Sequence, residues 1–222
     1  MTAGETITVA YEVTNIGDVA DTQDIGFAVN GTTEDTETGV TLNGSETFSG
    51  QFTYQTVAGD APAVNVAVLS ADDSDSNTVT VNEPSSFVVD IVETNTPVEG
   101  EQLNVTTSIE NTGDVQDSQE VTLDVGPLGT DSTTVTLGGG SSTNVTLSVG
   151  TGAGDAGAYT VTVASEDDTA GANVTSNEPP SFAVPITSAD AAVTDGATIP
   201  RAYEVTHTRD VYGTQDTRVA IN

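Results

Sequence analysis

Two acidic loops contain the residues best suited to chemistry in this sequence. One reads Asp72-Asp73-Ser74-Asp75 and the other reads Glu166-Asp167-Asp168, at equivalent places 95 positions apart (167 − 72). Several carboxylates on one hairpin loop supply the hard oxygen ligands that Ca²⁺ binds at about 2.3–2.6 Å. Neither loop follows the EF-hand spacing, so a solvated acidic turn is the alternative. The candidate metal ligands are Asp72, Asp73, Asp75, Glu166, Asp167 and Asp168, with Ca²⁺ as the cofactor to test.

A second group of Asn and Asp side chains lies on two further equivalent loops, residues 15–24 and residues 111–117. Side chains of this type hydrogen-bond to nearby backbone groups and thereby cap tight turns. We interpret both loops as turn chemistry.

The motifs of common enzymes are missing. Paired carboxylates hydrolyse glycosides only in a cleft that raises one pKa and binds sugar, and this chain has no Trp to line one. His207 is the only histidine, Cys is absent, and no Gly-x-Ser-x-Gly elbow occurs. The run Gly138–Gly140 lacks the Lys of a phosphate-binding loop. The sequence predicts a protein that is not an enzyme.

Asn-x-Ser/Thr motifs offer sites for N-glycosylation if the chain is displayed outside a cell. The turn motifs are better candidates than those within strands, since a glycan needs an exposed loop. The candidate acceptors are Asn30, Asn43, Asn104, Asn144 and Asn173.

A tandem repeat carries all of these residues. The tetrapeptide Tyr-Glu-Val-Thr of residues 11–14 returns at residues 203–206, 192 positions later (203 − 11). The tripeptide Gly-Asp-Val of residues 17–19 returns at residues 113–115, at half that spacing (113 − 17 = 96). A period near 96 in a chain of 222 residues gives two full units and a fragment.

Each full unit is long enough to bury a core of its own. We predict a first sandwich at residues 1–84, lacking its first strand, and a second sandwich at residues 85–180. A partial third repeat at residues 181–222 is predicted to be a docking or assembly element. The joints Asn82-Glu-Pro84 and Asn177-Glu-Pro-Pro180 are expected to be short and extended, because Pro restricts the residue before it.

Alternating apolar residues indicate β-strands throughout the repeat. Leu103, Val105 and Ile109, for example, alternate with polar residues, and no helical period is visible. The dipeptides Asn30-Gly31 and Asn43-Gly44 mark turns between such runs. About seven short, half-buried strands in each unit predict an all-β fold of tandem immunoglobulin-like antiparallel β-sandwiches.

The composition indicates a salt-rich environment. The chain has 34 acidic and 3 basic residues, a net charge of −31 and no Lys. Repulsion on this scale strains a compact fold, whereas about 1 M salt shortens the Debye length to roughly 3 Å. We infer a halophilic, archaeal setting. Nucleic acid is excluded as a partner, since binding it requires Lys or Arg. Direct membrane insertion is not expected, because no window of 18 apolar residues occurs.

The repeat resembles the cell-adhesion-related domains of bacterial and archaeal surface proteins, an immunoglobulin-like family. The resemblance rests on Gly100-Glu101 opening a strand, Asn111-Thr-Gly113 closing it, and Ser176-Asn-Glu-Pro179 ending the unit. It implies an extracellular spacer or adhesive role and brings no catalytic residue. Together with the acidic composition, it suggests a haloarchaeal surface protein or a structural protein of a haloarchaeal virus.

The last fragment contains every Arg of the chain, together with an apolar run that a partial sandwich cannot bury alone. Uncovered strand edges aggregate, so we expect a partner to dock here, with Arg pairing to carboxylates. The predicted docking residues are Arg201, Arg209, Arg218, Tyr203, Val205 and Val211.

Three functions stay open at this point. The first is a structural and attachment protein on the exterior of a halophilic virion, as a turret, spike or decoration protein. Met1–Glu5 enters the repeat without a signal peptide, which favours a particle over secretion. The second is an archaeal cell-surface or S-layer-associated adhesin. The third is a carbohydrate-binding accessory module, although the few aromatic residues lie on expected core faces.

The expected partners are other structural proteins of the same particle or surface, further copies of this chain, and a host-surface receptor or glycan. Strand exchange is one route to such an assembly. The C-terminal strands of one copy could complete the N-terminal unit of the next by strand addition.

Overall fold

A computed structural model gives the fold and describes residues 1–188, 202–207, 213, 214, 216 and 218. Its regular structure is β-strand apart from the short 3₁₀ turns Ala58–Asp60 and Gly126–Leu128. The strands form antiparallel ladders, so the prediction of an all-β chain built from antiparallel β-sandwiches is confirmed. Within the described residues, no helix has the length and apolarity that crossing a membrane requires.

The chain divides into two compact units. Unit 1 comprises residues 1–86, 111–117 and 136–141, and unit 2 comprises residues 87–110, 118–135 and 142–222.

The first repeat contains two facing groups of strands, one ordered β1-β4 and the other β3-β2-β5-β6. The strands are β1 (Thr6–Thr14), β2 (Asp21–Val29), β3 (Thr32–Leu42), β4 (Thr47–Gln55), β5 (Ala63–Leu69) and β6 (Ser74–Thr80). The predicted turn between β2 and β3 is a two-residue hairpin, since Val29 pairs with Thr32. Asn30 and Gly31 adopt the positive φ angles of 49° and 84° that this hairpin requires.

Aromatic rings fill much of the core of the first repeat. Phe27 on β2 stacks on Phe52 of β4, with ring centroids 5.2 Å apart. Tyr11 on β1 also stacks on Phe52, with ring centroids 4.9 Å apart. Because side chains alternate along each strand, the outward residues of β1 and β4 are exposed, and apart from Ala10 they are polar.

The second repeat has the same order with one more strand, in sheets ordered β11-β8-β7 and β10-β9-β12-β13. The strands are β7 (Phe87–Thr94), β8 (Gln102–Asn111), β9 (Asp117–Asp124), β10 (Thr130–Leu137), β11 (Ser142–Gly150), β12 (Gly157–Ala164) and β13 (Thr169–Ser176). Its core is largely aliphatic, with Leu103, Ile109 and Leu123 fully buried. Phe87 is the aromatic residue buried with them.

Short strands follow the second repeat. They are β14 (Phe182–Ala183), β15 (Ile186–Ser188), β16 (Ala202–Tyr203) and β17 (Thr206–His207). β14 pairs with β17 and β15 pairs with β16, each through two residue pairs.

Candidate functional site

The acidic turn of the second repeat joins β12 to β13 and is closed by a serine. The Ser165 N–H donates to the Asp168 carbonyl at 2.9 Å. The Ser165 hydroxyl oxygen accepts the N–H groups of Asp168 at 3.0 Å and Asp167 at 3.3 Å. Local hydrogen bonds therefore hold both aspartates in a fixed position.

The first repeat builds the same turn between β5 and β6. The Ser70 N–H donates to the Asp73 carbonyl at 2.8 Å, and the Ser70 hydroxyl accepts the Asp73 N–H at 3.0 Å. Asp72 lies between them, and its N–H reaches the same hydroxyl at 3.3 Å. Asp75 lies on strand β6 instead, where its carboxylate accepts the N–H of Ser76 at 2.8 Å.

A glutamine clamps each acidic turn from the neighbouring strand. Gln119 donates its amide to Asp167 Oδ2 at 2.7 Å and accepts the Glu166 N–H at 3.2 Å. Gln23 does the same for the first repeat, donating to Asp72 Oδ2 at 2.6 Å and accepting the Ala71 N–H at 3.2 Å. The sequence interpretation missed this role, although both glutamines recur at the repeat spacing (119 − 23 = 96).

In the second repeat the acidic turn fastens the backbone of β7. Asp167 Oδ2 accepts the Phe87 N–H at 2.8 Å, and Asp168 Oδ2 accepts the Val89 N–H at 3.1 Å. The Ser165 hydroxyl completes the arrangement by donating to the Phe87 carbonyl at 2.8 Å. Charge-assisted bonds of this kind are stronger than neutral ones. The turn acts as a receptor for a strand edge.

The metal ligands predicted from the sequence are only partly brought together. Among the described residues no group of three or more His, Cys, Asp or Glu side chains is arranged to hold a metal ion. Asp72 and Asp73 share a turn in the first repeat, and Glu166, Asp167 and Asp168 share one in the second, whereas Asp75 lies on β6. The carboxylates of Asp167 and Asp168 accept N–H groups, which they can do without a cation. Calcium binding stays a prediction.

The first repeat has an open groove where β7 lies in the second. The groove has a volume of about 910 Å³ and is lined by β1, β2, β5, β6 and the acidic turn. Val9 and Val13 on β1 are half-buried. Their equivalents on β8, Val105 and Ile109, are fully buried. The apolar floor of the first repeat is therefore partly exposed to solvent.

The loop after each first common strand is held by an asparagine, as the turn interpretation predicts. Asn15 donates to the carbonyl groups of Val19 at 2.8 Å and Leu42 at 3.0 Å, and it accepts the Gly17 N–H at 2.9 Å. Asn111 makes the corresponding bonds in its own loop. Capping is confirmed as the role of these two side chains.

A buried carboxylate and a tyrosine close one end of the first repeat. Asp60 accepts the Val57 N–H at 2.8 Å and the Tyr54 hydroxyl at 3.1 Å. Burial, followed by this bond to Asp60, raises the pKa of Tyr54 above its usual value. The pKa of Tyr11 is also raised, chiefly by burial and then by the charges of Glu37 and Asp35.

The structure describes only some of the predicted docking residues. Arg201, Arg209 and Val211 lie outside the described residues, and Tyr203 is described through its backbone in β16. Val205 and Arg218 are exposed. Docking at this fragment stays a prediction.

The candidate glycosylation sites differ in exposure. The turn residues Asn30 and Asn43 are exposed, as are Asn144 and Asn173 within strands. Asn104 is half-buried and its Oδ1 accepts the Ser148 hydroxyl at 2.8 Å. Asn43 donates its amide to Glu46 at 2.9 Å. Of the two turn sites, only Asn30 has a side-chain amide nitrogen that donates no hydrogen bond within the described residues, so its nitrogen is available to a glycan.

Comparisons with known proteins identify no family for this chain. No protein-family model and no curated protein matches the chain. Among solved structures the chain is similar to red sea bream transglutaminase, with 16% sequence identity and a TM-score of 0.33. The match covers 79% of this chain and 29% of the transglutaminase, so the chain spans less than a third of that protein. A likeness this distant carries no argument about activity.

Proposed function

We propose that this chain is a non-enzymatic structural and attachment protein, displayed as tandem immunoglobulin-like sandwiches on the exterior of a halophilic virion. Its place there would be that of a turret, spike or decoration protein. The observation that carries the proposal is the use of the acidic turns. Their carboxylates, the best candidates for chemistry in the sequence, accept backbone N–H groups of a strand in the second repeat. The residues best suited to chemistry hold a strand of the fold in place.

The distribution of charge supports a halophilic setting. Asp60 is the only buried acidic side chain in the part of the chain that the structure describes. The other described carboxylates are at least partly exposed and face solvent from strands, turns and joints. Such a surface stays hydrated and tolerable when concentrated salt screens its repulsion.

An archaeal cell-surface or S-layer-associated adhesin is the second candidate. The exposed turn at Asn30 favours it, because a motif for N-glycosylation stands where a glycan would be accessible. The resemblance to cell-adhesion-related domains fits either location. A carbohydrate-binding module is less well supported, since Phe27 and Phe52 are buried in the core and cannot form a sugar platform.

Localisation tests the proposal directly. An antibody against the chain should label intact purified virions of the halophile and should co-purify with them through a density gradient in high salt. Labelling of uninfected cell envelopes, with virions unlabelled, would reject the virion assignment and support the adhesin. A cytosolic location in both cases would reject both. Mass spectrometry of peptides containing Asn30 would show in parallel whether a glycan is attached.

A further inference from the structure

Two Asn-Gly dipeptides lie in turns of the first repeat, at Asn30-Gly31 and Asn43-Gly44, and the chain contains no other. The side-chain amide carbon of Asn can react with the backbone nitrogen of the next residue. Gly crowds that nitrogen least, because it has no Cβ. Since the two turns share this chemistry, their structures decide which of them reacts.

The turn at Asn30 leaves the nucleophile and the leaving group accessible. The Gly31 N–H, which supplies the nucleophile, donates no hydrogen bond within the described residues. A Cβ atom added at Gly31 would meet no atom within 4 Å, so solvent reaches this backbone. The Asn30 side-chain nitrogen, which would leave, donates no hydrogen bond in the same part of the chain.

A backbone N–H from strand β5 activates the carbon that is attacked. The Asn30 Oδ1 atom accepts the Asn65 N–H at 2.9 Å, and the Asn30 N–H donates to the Asn65 carbonyl at 2.8 Å. A donor on Oδ1 stabilises the negative charge that develops on this oxygen when a nucleophile adds to the amide. The hairpin therefore favours attack on the Asn30 side chain.

The turn at Asn43 holds the corresponding groups in place. The Asn43 side-chain nitrogen donates to Glu46 Oε2 at 2.9 Å, and the Asn43 N–H donates to the same oxygen at 2.8 Å. Cyclisation would have to break the first of these bonds. The Glu46 carboxylate also opposes loss of a proton from the nearby Gly44 N–H, because that loss creates a second negative charge beside it.

Gly44 is packed against the loop that follows β1. A Cβ atom added there would lie 2.6 Å from the carbonyl carbon of Asp18 and 2.8 Å from the carbonyl oxygen of Gly17. The Gly44 backbone therefore has less room to rotate toward the Asn43 side chain than the Gly31 backbone has toward Asn30.

The second repeat makes the corresponding connection without an asparagine. Gly126 stands where the first repeat has Asn30 (126 − 30 = 96), and its φ angle of 60° is close to the 49° of Asn30. The backbone at this place needs a residue that tolerates a positive φ angle, and Gly meets that need without an amide. Asn30→Gly is therefore a variant that removes the reacting group and spares the turn.

We propose that Asn30 is a site of spontaneous deamidation and that Glu46 and the packing of Gly44 protect Asn43 from the same reaction. The deprotonated Gly31 nitrogen adds to Cγ of Asn30, a C–N bond forms, and the amide nitrogen leaves as ammonia with a proton from solvent. Water then opens the cyclic imide at either carbonyl, which gives aspartate or isoaspartate. The only co-reactant is water, and nothing is oxidised or reduced.

The reaction changes the charge and the backbone of this turn. It adds one carboxylate to a chain whose net charge is already −31. In isoaspartate the backbone runs through the former side chain and gains a methylene group between residues 30 and 31. The nitrogen that N-glycosylation requires is lost, so deamidated copies cannot carry a glycan at Asn30. The inference holds wherever the protein is displayed.

Peptide mapping of the full chain over time tests the proposal. The purified protein is incubated at mildly alkaline pH in ¹⁸O-labelled water with about 3 M KCl, which screens its charge. Mass spectrometry detects a labelled carboxylate at each converted site, and fragmentation distinguishes isoaspartate from aspartate. We expect conversion to be roughly tenfold or more faster at Asn30 than at Asn43, where a hydrogen bond to a charged group opposes it.

Reference samples show whether the fold causes the difference. In urea concentrated enough to unfold the chain, the two rates should become similar, because both sites are Asn-Gly followed by Ser or Thr. In the folded chain Glu46→Ala should accelerate conversion of Asn43. Glu110→Ala removes an exposed glutamate of the second repeat as the matched control and should change neither rate. Asn30→Gly should remove the isoaspartate signal of the hairpin.

Three results would overturn the proposal. Asn30 could keep its amide in the folded chain while the unfolded chain converts, or Asn43 could convert as fast as Asn30 in the folded chain. Alternatively, Glu46→Ala could leave the rate at Asn43 unchanged, which would remove the protection assigned to Glu46. Circular dichroism of each variant confirms that the sandwiches remain folded during the incubation.

Discussion

Replacing Gln119 with Ala tests whether this buried side chain stabilises the acidic turn of the second repeat. The Gln119 side chain is 4% exposed, donates to Asp167 at 2.7 Å and accepts the Glu166 N–H at 3.2 Å. The substitution removes a buried amide and leaves the Asp167 carboxylate and the Glu166 N–H without this partner, although both of these residues are exposed. A hydrogen bond to a charged group contributes about 1.5–3 kcal/mol and a neutral one about 1 kcal/mol. Because water can partly replace the lost amide at the exposed Asp167, we expect the free energy of unfolding to fall by about 1–3 kcal/mol.

Gln23→Ala is the matched control, because it removes the corresponding pair of bonds from the first repeat, together with a donation from Gln23 to the exposed Asp21 at 3.2 Å. Gln23 is half-buried at the edge of the open groove whereas Gln119 is buried, and their partners Asp72 and Asp167 are both exposed. Water can replace the lost amide there, so the loss should be about 1 kcal/mol or less.

The assay combines urea unfolding in high KCl with hydrogen exchange. A chain of two units can unfold in more than one transition, so each transition is fitted separately. Exchange of the Phe87 amide reports directly on the clamp, because that N–H donates to Asp167. Faster exchange in Gln119→Ala, with little change in Gln23→Ala, is the expected result. Equal losses of stability in the two variants would refute the difference in hydration on which the argument depends.

The remaining predictions concern the backbone, salt, pH and calcium. Gly113→Ala should destabilise the fold by at least about 1–3 kcal/mol, because the added methyl group would collide with the Pro84 carbonyl. Gly17→Ala should unfold near the wild-type temperature, and equal melting temperatures of the two variants would contradict the contact with Pro84. Lowering KCl from about 3 M to about 0.1 M should reduce the melting temperature as screening is lost, and a flat response would argue against a halophilic protein. The pKa of Tyr54 is higher in the folded state than in the unfolded chain, so the folded state keeps the phenol proton to a higher pH. The contribution of Tyr54 to the free energy of unfolding is therefore complete below about pH 10 and is lost as the pH rises further. Tyr54→Phe should therefore flatten the loss of stability measured by alkaline denaturation, and an unchanged slope would reject that assignment. Calcium, if the acidic turns bind it, should raise the melting temperature in a titration that Mg²⁺ does not reproduce, and no rise would end the metal hypothesis.

The sequence predicted well the strands that have one buried apolar face, because their apolar residues alternate with polar ones. The turn at Asn30-Gly31 implied a strand on either side, but the apolar pattern did not mark β3, a long strand with exposed Thr, Asp and Glu along most of its length. β6 and β13 were missed for the same reason, since each is the last strand of its sheet and one face has little core to cover. Edge strands carry a weak apolar signal, so a pattern based on burial finds them last.

The site was predicted as a set of residues but not as an arrangement. The acidic turns were identified from their carboxylates, whereas their role depends on Gln119 from another strand and on the backbone of β7. Neither contact has a local signature, because the partners lie far apart in sequence. The recurrence of Gln, Ser and Asp at the repeat spacing was the signal available, and it becomes interpretable only when one repeat is seen with its edge strand and the other without.

The two repeats have the same strand order but different core side chains. Phe27 and Phe52 form the centre of one core, and Leu123 and Leu147 take the equivalent places in the other. Neighbouring domains that are nearly identical tend to misfold into one another during synthesis, because a strand from one fits the other. The change from aromatic to aliphatic packing makes such an exchange a poor fit in volume and shape. We therefore expect divergence of the interior to reduce mispairing between the two halves of a newly made chain.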